Sequence, residues 1–272
     1  MSAQIKNNHY RQYSLFMKIG IIGGGAMGSS LVKGLLSDSF PPYNIRISNP
    51  HLNKLDELAS LGVNVTQSNI EAAVGADLIV IAVKPWKFEE VAKEIAPYIK
   101  STREISCIVA GIDGESIIRM FQSSPHTSLS ISIPNTAMKV SQSMTFIVEL
   151  KGNATLAKEV FEKVGKVDII EERLLPGATA LASCGIAYAM RYVRAATEGG
   201  VELGLRASEA QDIVTQTLLG ACTLLQQPGA HPETEIDKVT TPGGITIRGL
   251  NAMEKAGFTN SVIEGLKASS NK

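Results

Sequence analysis

The chain has 272 residues, with 26 basic and 26 acidic side chains and no net charge at pH 7. That balance argues against a general binder of nucleic acid or of an anionic membrane. At 44% hydrophobic and only 19% charged residues the chain can build an aliphatic core, which excludes a disordered polymer.

The longest apolar run, residues 78–83, is far short of the roughly 20 residues that span a bilayer. Cys107, Cys184 and Cys222 are too few and too scattered for a disulfide framework. The histidines (His9, His51, His126 and His231) show no metal-ligand spacing, so no metal is expected. The N-terminus has no apolar stretch ending in a small-residue cleavage site. The expectation is therefore a cytoplasmic protein with reduced thiols.

Residues 1–16 are polar and without period; they read as an extension, and Met17 offers an alternative start. From residue 17 to about 170, short apolar runs alternate with longer amphipathic stretches, the pattern of β-α-β units. The spacing predicts strands over 18–22, 45–48, 78–83, 105–109 and 128–133, and one near 145–149. Several are continuous aliphatic blocks, as in a parallel sheet covered on both faces.

After Glu171-Glu172-Arg173 the strand signal ends, and only helix patterns follow from Pro176. Ser208 with Gln211 reads as a capping box for a helix running to Leu225, closed by Pro228-Gly229. Thr259 and Ser261 offer caps for a last short helix, and the alanine-rich stretch 187–196 suits close helix contact. The expected organisation is one domain over 17–173 and a helical one over 174–272. The latter has more apolar surface than its few helices can cover, so a homodimer or higher homo-oligomer is expected through it.

Gly23-Gly24-Gly25-Ala26-Met27-Gly28 fits G-x-G-x-x-G between a strand and a helix pattern. Gly23 permits the tight turn, Gly25 lets the backbone approach a pyrophosphate, and Gly28 lets helix pack on strand. In that context the fold class is a Rossmann-type doubly wound parallel sheet, and the helix N-terminus is an anion site. An Asp or Glu about twenty residues on would hold the ribose hydroxyls of NADH; here stand Ser48-Asn49-Pro50-His51, also usable as plain turn residues. The missing acid favours NADPH, with NADH possible.

Val83-Lys84-Pro85 and Pro134-Asn135-Thr136 follow strands at the carboxyl edge where open α/β sheets bind ligands. Lys84 reads either as a cofactor contact or as a solvated charge, Asn135 either as a nicotinamide donor or as a turn residue. Thr240-Thr241-Pro242-Gly243-Gly244-Ile245-Thr246 precedes a helix pattern and offers hydroxyls and backbone donors to a carboxylate. A capping turn without function is the alternative. No Ser-His-Asp array, carboxylate pair or activated cysteine is evident.

These residues together resemble the pyrroline-5-carboxylate reductase family, from about Lys18 to Leu266. The glycine-rich turn is matched, as are the family's Ala-Val-Lys-Pro by residues 82–85 and, in part, its Ala-Ala-Gly by Val109-Ala110-Gly111. Its Pro-Asn-Thr is matched by residues 134–136. The most specific match is the hydroxyl pair, Pro-Gly-Gly, one residue and Thr of residues 240–246, with Gly249, Leu250 and Met253 after it and His231-Pro232 before. The family's Gly-Ser-Gly-Pro-Ala-Tyr reads Ser183-Cys184-Gly185-Ile186-Ala187-Tyr188 here, an acidic position is Gln227, and the Lys-Asp stretch reads Ile236-Asp237-Lys238.

The resemblance implies a Rossmann domain followed by a helical domain that interlocks with its mate in a dimer, and reduction of 1-pyrroline-5-carboxylate to L-proline with NADPH or NADH. It places Ser48, Asn49, Pro50 and Asn69 at the adenosine end of the cofactor; Val83, Lys84, Pro85, Ala110, Gly111 and Asn135 are further expected cofactor contacts. Thr246 stands where the family's substrate- and nicotinamide-contacting threonine sits; Thr246 and Thr241 are the expected catalytic residues, and Gly243, Gly244 and Ile245 the expected substrate-binding ones. Two other readings remain: reduction of a different small imine or keto acid, and a nucleotide-sensing protein without turnover.

Overall fold

The structure, a computed structural model, describes residues 17–109 and 111–270; the polar extension lies outside the described residues. The chain forms two compact units that divide between Ser183 and Cys184.

The first unit is built on one eight-stranded sheet. Its strands are β1 (Ile19–Ile22), β2 (Ile45–Ser48), β3 (Asn64–Thr66), β4 (Leu78–Ile81), β5 (Glu104–Cys107), β6 (Ser128–Ile133), β7 (Ser143–Lys151) and β8 (Gly165–Ile169). Their order across the sheet is β3-β2-β1-β4-β5-β6-β7-β8. The first six are parallel, β7 runs antiparallel to β6, and β8 runs parallel to β7.

Between the strands run α1 (Ala26–Ser37), α2 (Asp56–Ser60), α3 (Asn69–Ala73), α4 (Pro85–Ile95), α5 (Gly114–Met120) and α6 (Thr155–Glu162). Successive side chains of a strand point to opposite faces, so a strand covered on both sides must be apolar throughout. In β4, Leu78 and Val80 join Leu31 and Leu35 of α1 and Phe161 of α6 on one face. Ile79 and Ile81 join Phe88 and Ile95 of α4 and Phe121 beyond α5 on the other.

Four of the expected strands are trimmed or extended by a few residues: Lys18, residues 82–83 and residues 108–109 lie outside the strands, while the strand near 145–149 runs from Ser143 to Lys151. Two strands carried no signal. In β3 Asn64, Val65 and Thr66 are too few for a pattern, and β8 is an edge strand in which Lys166 and Asp168 alternate with Val167 and Ile169. The sheet is also not wholly parallel. A short connection from Pro134 to Gln142 cannot carry a parallel crossover, so β7 returns antiparallel.

The second unit is helical. After α7 (Leu175–Ala178) and a π-helical turn over Thr179–Cys184 come α8 (Gly185–Glu202), α9 (Ala207–Leu225), α10 (Pro232–Lys238), α11 (Ile245–Lys255) and α12 (Phe258–Ser270). The capping box of α9 is two residues earlier than the sequence suggests. Arg206 is the N-cap, and Glu209 accepts from its backbone N–H and its guanidinium; Ser208 lies inside the helix. Thr259 and Ser261 do not cap α12 either. They sit within it, with hydroxyls donating to Glu254 and to the Phe258 carbonyl. α8 and α9 approach closely at Gly200, where an added Cβ would lie 2.8 Å from the Ala210 Cβ; Ala187, Ala189 and Ala195 of the alanine-rich stretch are exposed in the single chain.

Among the described residues of this unit Ala210 is the one buried hydrophobic, while Leu203 and Ile245 are 86% and 80% exposed. An apolar helical unit that buries so little of itself needs another surface to cover it. No described helix is long and apolar enough to cross a membrane.

One buried carboxylate ties sheet to helix. Glu104 Oε2 accepts from Leu156 N at 2.8 Å and Oε1 from Ala157 N at 2.9 Å, so a side chain from β5 caps α6. Burial outweighs those two bonds and pushes the carboxyl up to about 7, with Glu149 adding to the rise and Arg103 opposing it. An acid raised from 4.5 in the folded state favours folding fully below that value and loses this contribution as pH rises through about 7. Urea denaturation at pH 5 and 7.5 should therefore show Glu104→Gln gaining about 2 kcal/mol on the wild type at the higher pH. Equal pH slopes in the two proteins would contradict the assignment.

Candidate functional site

The carboxyl ends of β1 and β4 lie side by side at the point where the strand order reverses, which is where an open α/β sheet leaves a crevice. The glycine turn leaves β1 there. Gly23 adopts φ +109°, and the N–H groups of Gly23 and Gly24 both donate to the Ser48 carbonyl at the end of β2 (3.2 and 2.8 Å). A Cβ at Gly28 would lie 2.2 Å from the Gly23 carbonyl oxygen, so only glycine lets α1 start so close to the strand.

Gly25 is different. It is the N-cap of α1, makes no side-chain cap, and a Cβ on it would meet nothing within 4 Å. The first turn of α1 has no acidic residue. Its N–H groups and the positive end of the helix are thus directed at open space, which suits a phosphate.

That space is a cavity of about 460 Å³. It gathers Gly23, Gly25, Ala26 and Met27 from the turn, Ser48 and Pro50 beyond β2, Asn69 opening α3, and Val83, Lys84 and Pro85 beyond β4. Ser48 Oγ donates to Asn69 Oδ1 at 2.8 Å, and Asn69 Nδ2 donates to Glu94 Oε2 on α4 at 2.8 Å. The carboxylate expected of an NADH-selective site is absent from the end of β2.

Other expected residues support the cavity or stand apart from it. Asn49 is buried, its Nδ2 donating to the Gly24 carbonyl at 2.9 Å and its Oδ1 accepting from His51 N, so it braces the turn. Gly24 and Gly28 shape the turn from behind. Asn135 accepts from Ala137 N and donates to the Ala182 carbonyl at 3.2 Å, which commits its amide locally. Gly111 is exposed at φ +80°, and Ala110 lies outside the described residues.

The sequence reading missed Ala82, Lys87, Glu90, Val91 and Ile108, which complete the lining. Lys87 and Val91 are four apart on α4, one turn and two turns beyond Lys84-Pro85. That helical spacing was the available signal. Lys87 pairs with Glu90 at 2.7 Å, and Lys84 has no ion pair among the described residues. A second cavity of about 260 Å³ lies at the opposite edge, against Ile19, Ile45 and Asn64 at the amino ends of the strands, and holds none of the expected residues.

In the helical unit Thr241 accepts from Gly244 N at 2.9 Å, closing a turn with Pro242 second and Gly243 third at φ +70°, the chemistry of a type II turn. Gly244 is the N-cap of α11 and provides no side-chain cap. Ile245 and Thr246 are exposed in the first turn, and the Thr246 hydroxyl has no partner among the described residues. Among those residues no group of His, Cys, Asp and Glu could hold a metal.

A glycine turn, an uncapped helix start and a cavity at the switch point define a dinucleotide-binding protein of the Rossmann class. The family model described as pyrroline-5-carboxylate reductase dimerisation matches residues 172–272, and the one described as NADP oxidoreductase, coenzyme F420-dependent, matches residues 18–110. Pyrroline-5-carboxylate reductase of Synechocystis is 33% identical, over 93% of this chain and 95% of that protein. Pyrroline-5-carboxylate reductase 1 of Dictyostelium discoideum is 35% identical over 93% of this chain, which spans about half (49%) of that longer protein. The structure of Plasmodium falciparum pyrroline carboxylate reductase with NADP bound superposes with a TM-score of 0.84 at 27% identity, covering 94% of this chain and 96% of that one. This chain belongs to the pyrroline-5-carboxylate reductase family.

The two glycines give opposite expectations. Gly25→Ala adds a methyl only where a phosphate would lie, so stability should change by less than about 0.5 kcal/mol while NADPH affinity falls roughly tenfold or more. Gly28→Ala strikes backbone and should destabilise the unit by about 3 kcal/mol. Urea denaturation and NADPH fluorescence titration of both variants decide it. Unchanged NADPH affinity in a folded Gly25→Ala protein would move the site.

Proposed function

We propose that this chain reduces the C=N bond of 1-pyrroline-5-carboxylate to give L-proline, using NADPH and accepting NADH. The observation that carries the reading is the open cradle at Gly25, a helix start with room for a phosphate beside a strand end without a carboxylate, in a chain of this family. When bound, the reduced nicotinamide supplies the hydride.

The chain's own residues do the rest. The N–H groups opening α1 hold the pyrophosphate, and Ser48, Pro50 and Asn69 hold the adenosine ribose. Lys84 and Lys87 outnumber Glu90 in the lining, which favours the additional phosphate of NADPH. On the helical unit, the N–H groups of Ile245 and Thr246 and the Thr246 hydroxyl receive the substrate carboxylate, with the Thr241–Gly244 turn setting their direction.

A cyclic imine is basic enough to arrive protonated from water, so hydride addition to its carbon needs no strong acid from the protein. Positioning and exclusion of water supply most of the rate. Residues 17–173 carry the cofactor, and 174–272 carry substrate contacts and assembly into a homo-oligomer, in keeping with the exposed apolar side chains of that unit. The protein works in the cytoplasm.

Pyrroline-5-carboxylate should drive oxidation of NADPH by the purified chain, with L-proline as product; no oxidation with that imine would reject the reading. Thr246→Ala should lower turnover roughly 100-fold, the scale of one lost oriented donor, with NADPH affinity unchanged. A purely capping role would instead cost about 0.5–2 kcal/mol of stability and leave turnover intact. Ser48→Asp should reverse the order of affinity so that NADH binds more tightly than NADPH, measured by titration.

A further inference from the structure

We propose that α4 reads the base of the dinucleotide: Glu90 accepts from the exocyclic amine of adenine while Lys87 donates to the ring nitrogen beside it, so the cavity selects adenine over hypoxanthine. The inference rests on reading the cavity as the dinucleotide site, and it gives that site a base-specificity pair outside the family's motifs.

Helix geometry brings the pair to the cavity. Lys87, Glu90, Val91 and Glu94 are spaced by three, four and seven residues and share one face of α4, while Phe88, Ala92 and Ile95 turn into the core. Toward the end of that face Glu94 Oε2 accepts from Asn69 Nδ2 at 2.8 Å, which sets it beside the opening of α3. Lys87, Glu90 and Val91 line the cavity together with Ser48, Pro50 and Asn69. A ribose held by the latter three has the phosphates on one side, at Gly25, and its base leaves on the other. The lining left for the base on that side is this stretch of α4 with Pro50.

The chemistry of the stretch suits a base. Val91 is only 5% exposed and offers an apolar surface. Lys87 Nζ and Glu90 Oε2 are 2.7 Å apart, about one turn of helix along. An ammonium only donates and a carboxylate only accepts, so a donor and an acceptor stand side by side in an order that the helix fixes. Their ion pair uses one ammonium proton and one carboxylate oxygen, and the rest remain for a ligand.

Adenine presents the complement, a donating amine beside an accepting ring nitrogen. Hypoxanthine has a carbonyl oxygen in place of the amine, and that oxygen would face the Glu90 carboxylate, acceptor against acceptor. The pair stands at the rim, its side chains 54% and 68% exposed, so water screens the effect and holds it to a few-fold in affinity.

NADPH and its hypoxanthine counterpart differ in the base and carry the same reduced nicotinamide. Trp86, the chain's one tryptophan, adjoins Lys87 and is 75% exposed, and its energy transfer to bound nicotinamide reads binding to the full chain without substrate. The wild type should bind NADPH roughly three- to tenfold more tightly than the hypoxanthine form. Glu90 is exposed on its helix, so its replacement leaves the fold in place. Glu90→Gln should bring the two affinities within about twofold, because an amide donates to a carbonyl as readily as it accepts from an amine. Glu90→Asp should retain part of the selection. A general effect of charge at position 90 on an anionic ligand falls on both forms alike and cancels in the ratio.

Equal affinity of the wild type for the two forms, or a ratio that Glu90→Gln leaves unchanged, would overturn the proposal. So would a Glu90→Gln effect confined to the ratio of NADPH to NADH, which would put the pair at the 2′-phosphate. Binding of neither form would remove the cavity as the dinucleotide site and the proposal with it. Selection as expected without reduction of pyrroline-5-carboxylate would strike the proposed reaction and leave the base reading standing.

Discussion

The approach of one backbone to another at the end of β1 governs the first unit. With the Gly23 carbonyl oxygen only 2.2 Å from where a Cβ of residue 28 would be, α1 starts within van der Waals reach of the strand it follows. The same turn receives the Ser48 carbonyl on the Gly23 and Gly24 N–H groups, so the ends of β1 and β2 are locked together by the residues that shape the phosphate cradle. Asn49 closes the arrangement from behind through its bond to the Gly24 carbonyl. Fold and site meet at this corner: Gly23 and Gly28 permit the packing, and Gly25 between them leaves the helix start bare.

Sheet topology then decides which of two cavities carries function. Both are open to solvent and of useful size, but one sits at the amino ends of the strands beside Lys18 and Arg46, with Arg46 already donating to the Glu71 carbonyl. The other sits at the carboxyl ends, where β1 and β4 diverge in connectivity and where helix N-termini point. Its walls come from five separate chain segments, so it exists only once the parallel strands are in register. Glu104 contributes at the opposite end of the sheet, holding α6 to β5 with a charge that folding must desolvate.

Much of this was legible in the sequence where a single local pattern carried it. Continuous apolar runs such as Leu78-Ile79-Val80-Ile81 betray a strand covered on both faces, and the glycine turn announces the cradle because its spacing is set by backbone geometry alone. Short or edge elements were not legible. Three residues at β3 contain too little pattern, and β8 mixes Lys166 and Asp168 into its run because only part of it is covered. The reversed direction of β7 depends on the length of one connection, which strand propensity does not encode. Lys87, Glu90 and the Glu94–Asn69–Ser48 chain are invisible to motif reading, since they arise where α4 passes the end of β2. At α9, a serine that reads as a cap lost to Arg206 because Glu209 could reach back to it.

The helical unit shows the complementary case. Its sequence gives helices readily, yet Leu203, Ile245 and Val239 are exposed in the single chain, which fits the matched dimerisation family. The central claim, that the dinucleotide lies at the carboxyl edge against the glycine turn, is tested most directly by hydrogen exchange read by mass spectrometry with and without NADPH. Protection should rise in peptides covering residues 23–29, 48–51 and 82–87 and stay unchanged over 42–46 and 72–76 at the other cavity. Protection confined to the latter segments, or none in the former at saturating NADPH, would contradict it.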